Sequence, residues 1–183
     1  MKSILKYLIS ILMICFSMVA NAQELQPMLG QMAPSFTLKA LGGKTYSSEQ
    51  LLGKYVVIHF AATWCPFCNA EAPYLQELYK SYHDKGVEVF IVDVKEDKEM
   101  VEKTIARFNF SFPVLLDEEG AVSATYAPQG VQPDLARHEV PLASNLIIDK
   151  EGKIRFYSLL NTTAFDAKLT KLKEKLDLLL NSK

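Results

Sequence analysis

The chain has 183 residues, of which 49% are hydrophobic, 22% charged and 10% aromatic, with a formal charge of −1. Those figures exclude a disordered or low-complexity protein, and a charge so near balance argues against a nucleic-acid partner, which needs a basic footprint. The length suits one domain with a full core, and three cysteines are too few for a disulfide-stapled scaffold.

Lys2 and Lys6 open the chain, residues 8–19 are apolar apart from Ser10 and Ser17, and Ala20-Asn21-Ala22 supplies small residues where a signal peptidase reads. The sequence therefore predicts a cleaved signal peptide at 1–22 and one domain over 23–183. The apolar run is short for a membrane span, and an uncleaved anchor is the alternative. Cys15 follows Ile14 instead of the small residue that a lipidation site needs, so it reads as part of the leader. The domain then keeps Cys65 and Cys68 alone. A disulfide closing so small a loop removes little entropy from the unfolded chain, so the pair points to chemistry, not to stapling.

Residues 33–38 have short β character, Gly42-Gly43 marks a turn, and Lys44-Thr45-Tyr46 pairs back as a hairpin. Ser47-Ser48-Glu49-Gln50 offers a helix cap before Leu51-Leu52, and Gly53 ends that turn. Residues 55–60 form a continuous apolar, β-branched run, the pattern of a central strand covered on both faces. A helix is expected from Cys65-Pro66, since Pro is tolerated in the first turn, with Tyr74, Leu75, Leu78, Tyr79 and Tyr82 at helical spacing and Gly86 as the stop. Pro73 inside it removes one helix bond. A second buried strand spans 87–94. Residues 97–109 read as a helix with Met100, Val101, Ile105 and Phe108 on its apolar face, and 112–116 as a third strand. Residues 126–139 read as a loop or lid. A strand at 145–148, a turn at 149–152 and an antiparallel partner at 153–157 follow. Phe165, Leu169, Leu172, Leu176 and Leu179 step by four and three, which predicts a last amphipathic helix. This order of strands and helices implies an α/β layer fold with a mixed sheet.

Trp64-Cys65-Pro66-Phe67-Cys68 joins the end of a buried strand to a helix start. There the free backbone N–H groups and the positive helix end favour a thiolate at Cys65. The thiolate is the nucleophile of disulfide exchange. Cys68, one helical turn on, can attack the mixed disulfide and release the partner, so a Cys65–Cys68 dithiol/disulfide cycle is expected, with Cys65 exposed and Cys68 shielded. A zinc site would need further ligands, and His59, His83 and His138 are scattered in sequence, so no metal is expected.

The block from Phe60 through Cys68, followed by Glu71 and Pro73, resembles the TlpA/ResA type of exported thioredoxin-like protein. The similarity extends to Gly30-Gln31-Met32-Ala33-Pro34-Ser35-Phe36, to the strand 112–116, and to Val140-Pro141 before Asn145-Leu146-Ile147-Ile148-Asp149. The resemblance implies a thioredoxin fold with an N-terminal β-hairpin and a central insertion. It implies a periplasmic thiol–disulfide oxidoreductase that reduces or isomerises client disulfides, some relatives serving cytochrome c maturation. It implies no cofactor beyond the cysteine pair, an upstream membrane dithiol donor, protein clients and a monomer. Trp64, Pro66 and Phe67 would then border the client. Pro141 resembles the family's cis-proline, with Val140 offering backbone hydrogen bonds to a client strand. Glu71 stands where family members carry a functional Glu, and accepts the Cys68 proton or raises the thiol pKa values. His59 stands where thioredoxin buries an Asp. A neutral imidazole there is expected to act as a base towards Cys68, with a packed core histidine as the bland alternative.

The Pro-first dipeptide Pro66-Phe67 keeps a disulfide-forming oxidase open. A peroxiredoxin would want Thr where Ala62 stands, three residues before Cys65, and a copper chaperone would want a wider Cys spacing and a distant His such as His138.

Overall fold

A computed structural model describes residues 28–128 and 139–182. The predicted signal peptide, His138 and most of the predicted lid (129–138) lie outside the described residues. Strands β1 (Thr37–Ala40), β2 (Thr45–Ser47), β3 (Tyr55–Ala61), β4 (Val87–Val94), β5 (Val114–Asp117), β6 (Ser144–Ile148) and β7 (Ile154–Ser158) form one sheet in the order β2-β1-β5-β4-β3-β6-β7. The β5-β4-β3 core is parallel, β1 and β6 run antiparallel to it, and β2 and β7 in turn run antiparallel to β1 and β6. Four α-helices accompany the sheet among the described residues: α1 (Pro66–Tyr82), α2 (Lys98–Ile105), α3 (Ala121–Thr125) and α4 (Thr170–Asn181). The α/β expectation holds, hairpin included.

Alternation along the strands divides the core in two. Val57, Val89, Ile91 and Ile147 face one side, where Leu75 and Leu78 of α1 and Leu172 and Leu176 of α4 pack on them. Val56, Ile58, Phe60, Phe90, Val92 and Leu146 face the other, covered by Phe36, Leu51, Tyr126 and Tyr157. The Tyr126 hydroxyl donates to the Pro34 carbonyl at 2.6 Å, and the Tyr157 hydroxyl to the Tyr126 carbonyl at 2.7 Å. At the β7 edge, Gly30 N–H donates to Ile154 O at 2.8 Å, Ile154 N–H to Gln31 O at 2.9 Å and Ala33 N–H to Gly152 O at 2.8 Å.

Local signals explain most boundaries. Gly86 ends the α1 segment in the left-handed region at φ 82°, and the Asp97 carboxylate accepts the Met100 N–H at 2.9 Å to cap α2. Helix α2 gives way to a 3₁₀ turn, Ala106–Phe108, before Asn109 ends it at φ 47°. The last helix is shorter than its apolar spacing predicts. Leu169 is left-handed, at φ 55°, and the Asp166 carboxylate accepts the Lys171 N–H at 2.9 Å, so α4 starts only at Thr170. Phe165 stays in the loop before it. Helix α3 had no apolar periodicity to announce it; it is held by Asp117, whose carboxylate accepts the Val122 and Ser123 N–H groups.

Leu75 is fully buried between α1 and the sheet, whereas Leu178 of α4 is 67% exposed. Leu75→Ala is expected to cost about 2–5 kcal/mol in urea unfolding, and Leu178→Ala to stay within about 0.5 kcal/mol. Equal costs would contradict this assignment of the core.

Candidate active site

The C-terminal ends of parallel strands gather the loops of an α/β sheet, and β3 ends there at Ala61. The chain turns through Ala62, Thr63 and Trp64, with the Cys65 N–H donating to Ala62 O at 3.1 Å. Cys65 is the N-cap of α1: its sulfur accepts the Cys68 N–H at 3.2 Å, and Pro66 fills the first helical position. The two cysteines are joined as a disulfide, Cα to Cα 5.3 Å.

The expected contrast in exposure is absent: each cysteine is 4% exposed. In the closed disulfide each sulfur shields the other. The asymmetry lies in hydrogen bonding. The Cys65 sulfur faces an N–H donor, which favours a thiolate. The Cys68 sulfur faces the Phe60 carbonyl at 4.0 Å, an acceptor that suits a protonated thiol and disfavours an anion.

Trp64, 72% exposed, and Pro66 form an open apolar rim beside the pair. Phe67 is half-buried against Phe165, ring centroids 4.9 Å apart. The segment before β6 departs from expectation. No peptide bond among the described residues is cis, so the Val140–Pro141 bond is trans. The chain reverses at Ala143 instead, which takes φ 56° and donates its N–H to Phe60 O at 2.9 Å. Ala143 shares the core cluster of Cys65 and Cys68, while Val140 packs with Phe60 and Tyr126 on the opposite face. Pro141 is buried between them.

Beneath α1 lies a buried polar group. His59 pairs in register with Asn145 across β3 and β6, and its Nδ1 lies 2.9 Å from the Asn145 Oδ1. The Asn145 amide donates to Glu71 Oε1 at 3.1 Å. Assigning the amide this way makes His59 Nδ1 the N–H donor and leaves Nε2 with an unpartnered lone pair. His59 Nδ1 also lies 3.6 Å from Glu71 Oε2. That spacing would suit an ion pair, yet burial points both groups to neutral forms. It pushes Glu71 up to about 8, Asn145 opposing and the Asp166 charge adding to the rise. It pulls His59 down to about 4 against the Asn145 hydrogen bond. A charged pair and a neutral pair hold the same number of protons, and a site this dry selects the neutral one. The structure places His59 beside Glu71, and burial disfavours the charge on each. Glu71 and Asn145 also line a cavity of about 680 Å³ whose far wall includes Leu160, Phe165 and Asp166.

Sequence reasoning missed Asn145, and also Asp93 and Glu96 beside Thr63. A signal existed: Asn145 and Asp93 are polar residues inside apolar strand runs, and buried polar groups need partners.

The chain matches the AhpC/TSA family over residues 29–157. It belongs to that family. Among its curated relatives, the thiol-disulfide oxidoreductase ResA of Geobacillus thermodenitrificans is 38% identical over 127 residues, 69% of this chain and 67% of that protein. ResA of Bacillus thuringiensis subsp. konkukian is 36% identical over 126 residues, 69% of this chain and 66% of that protein. The match thus spans about two thirds of the relatives' own length. A solved thiol:disulfide interchange protein from Bacteroides sp. superposes with a TM-score of 0.64 at 25% identity, covering 84% of this chain and 91% of that one. A secreted Mycobacterium tuberculosis disulfide oxidoreductase, homologous to E. coli DsbE, shares the fold at a TM-score of 0.61 and 24% identity, over 78% of this chain and 95% of that one. Within the family, the chain stands with the thiol–disulfide oxidoreductases.

The buried acid has a measurable signature. Glu71 keeps its proton up to about pH 8 in the folded chain, whereas in the unfolded chain a carboxyl loses it near 4.5. The folded state binds the extra proton between those values, so the contribution of Glu71 to stability falls as pH rises through that window. Urea unfolding at pH 5 and pH 8 is therefore expected to show Glu71→Gln gaining on wild type as pH rises. A gap that does not change with pH would mean that Glu71 is ionised in the fold.

Proposed function

We propose that this chain is an exported thiol–disulfide oxidoreductase that reduces or isomerises disulfides of client proteins in the periplasm. The observation that carries the reading is the disulfide between an N-capping Cys65 and a Cys68 one turn into α1. No described helix is long and apolar enough to cross a membrane, and the export reading rests on the leader-like residues 1–22. In the reduced form the Cys65 thiolate attacks a client disulfide and expels one client sulfur as a thiolate. The Cys68 thiol then loses its proton and attacks Cys65, releasing the second client sulfur. Two electrons pass to the client, and the Cys65–Cys68 disulfide forms.

An upstream membrane dithiol donor would reopen that disulfide by attacking Cys65, so that Cys68 leaves as a thiolate and needs a proton. Glu71, three residues from Cys68 on the same side of α1, holds one at neutral pH and supplies it; in the forward step its ionised fraction takes the proton back. His59, kept neutral by burial, sets the polar floor under that transfer. Trp64, Pro66 and Phe67 would shape the client groove; Val140 and Pro141, both buried, would support the segment that leads into β6. The cysteine pair needs no metal or other cofactor, and cytochrome c maturation is one pathway that could supply such clients.

The Cys68→Ser protein is expected to accumulate mixed disulfides through Cys65 when mixed with an unfolded disulfide-bonded client, as seen on non-reducing gels. Alkylation of the reduced wild type should label Cys65 first; labelling of Cys68 first would reverse the assignment. A reduction potential near thioredoxin's, about −270 mV, supports the reductant, and one near −120 mV would instead make the chain an oxidase.

A further inference from the structure

Glu96 lies in the connection between β4 and α2, and it is bound to the turn that carries the nucleophile. Both of its carboxylate oxygens are used by one residue. The Thr63 hydroxyl donates to Oε1 at 2.5 Å, and the Thr63 N–H donates to Oε2. The Thr63 carbonyl is held from the other side by the Asn69 amide of α1, at 3.0 Å, and Asn69 is in turn bonded by Arg107 at 3.1 Å. Every polar group of Thr63, two residues before Cys65, is thus tied to another element. Lys95, next to Glu96, is left-handed at φ 61°, a conformation uncommon for a non-glycine residue.

Asp93 completes the group. It sits at the end of β4, paired in register with Ala61, and is 2% exposed. The Glu96 carboxyl lies close enough to act on it, and its Oδ1 is buried without a hydrogen-bond partner. Two carboxylates cannot both be anions in such contact; one must hold a proton to bridge them. The oxygens of Glu96 already accept from Thr63, so the deeper Asp93 is the donor. We propose that Asp93 and Glu96 share one proton and together latch Thr63, acting as positioning residues that hold the β3–α1 turn, and with it Cys65, in register for disulfide exchange. The role assigned to Cys65 rests on the function proposed above; the latch itself does not.

Burial and the Glu96 charge push Asp93 up to about 8. Glu96, from the connection after its own strand, is the charged group that acts on it; His59 and Glu71 lie on the same face of the sheet, and Arg107, the cation of this network, bonds Asn69. Loss of the shared proton puts two anions in contact and opens the latch.

Trp64, the chain's single tryptophan, adjoins Thr63 and reports on the turn. In the oxidised protein, where the cysteines do not titrate, its fluorescence is expected to change with a midpoint near pH 8. Asp93→Asn should abolish that transition, because an amide donates to Glu96 at any pH. Glu71→Gln should keep it, which separates the latch from the other buried acid. Glu96→Gln, checked for a cooperative melt, should slow insulin reduction on the order of tenfold, since small misplacements of reacting groups are that costly. A transition that survives Asp93→Asn, or an unchanged insulin rate in folded Glu96→Gln, overturns the proposal. If wild type reduces no disulfide while the Asp93-dependent transition persists, the latch stands and the reading of Cys65 fails.

Discussion

His59, Asn145 and Glu71 are buried between β3, β6 and α1, and Asn145 bonds both of the others. A buried polar group left without a partner costs on the order of 1–3 kcal/mol, so this trio fixes more than its own geometry. It sets the rotation of α1 about its axis, because Glu71 reaches Asn145 from one face only. Cys65 and Cys68 ride on the same helix, and the direction in which their sulfurs point follows from that rotation. The register of β3 against β6 is fixed by the same contact, since a one-residue slip would turn Asn145 to the opposite face.

The two cysteines then differ through their nearest backbone groups. Cys65 meets a donor and Cys68 an acceptor, so the fold separates a thiolate from a thiol although both are equally covered. The separation needs no charged side chain at the pair. It comes from the strand-to-helix junction, whose amides point at one sulfur and whose preceding carbonyl lies by the other.

Much of this was legible in the sequence because local chemistry agreed with the global fold. The run at 55–60, the Pro66 start and Gly86 each announce a boundary, and the CxxC at a strand-to-helix junction announces the chemistry. What escaped was long-range. Asn145 lies 86 residues from His59 and Glu96 lies 33 from Thr63, and no local pattern states those separations. Pro141 shows the opposite failure. The family resemblance implied a cis bond, but Ala143 turns the chain through a left-handed φ, a choice visible only once β6 is paired to β3. Leu169 similarly kept its apolar spacing while leaving the helix.

The strip of chain from Gly30 to Ala33, bonded along the start of β7, bears on solubility. An outermost strand with free amides and carbonyls is a template on which other extended chains can add. Here the domain's own beginning occupies part of that template, and the opposite margin, β2, is three residues long. A protein proposed to act on the disulfides of other chains meets extended segments of them. With both margins of its sheet blunted, it can engage such chains at the cysteine pair while offering them little to polymerise upon.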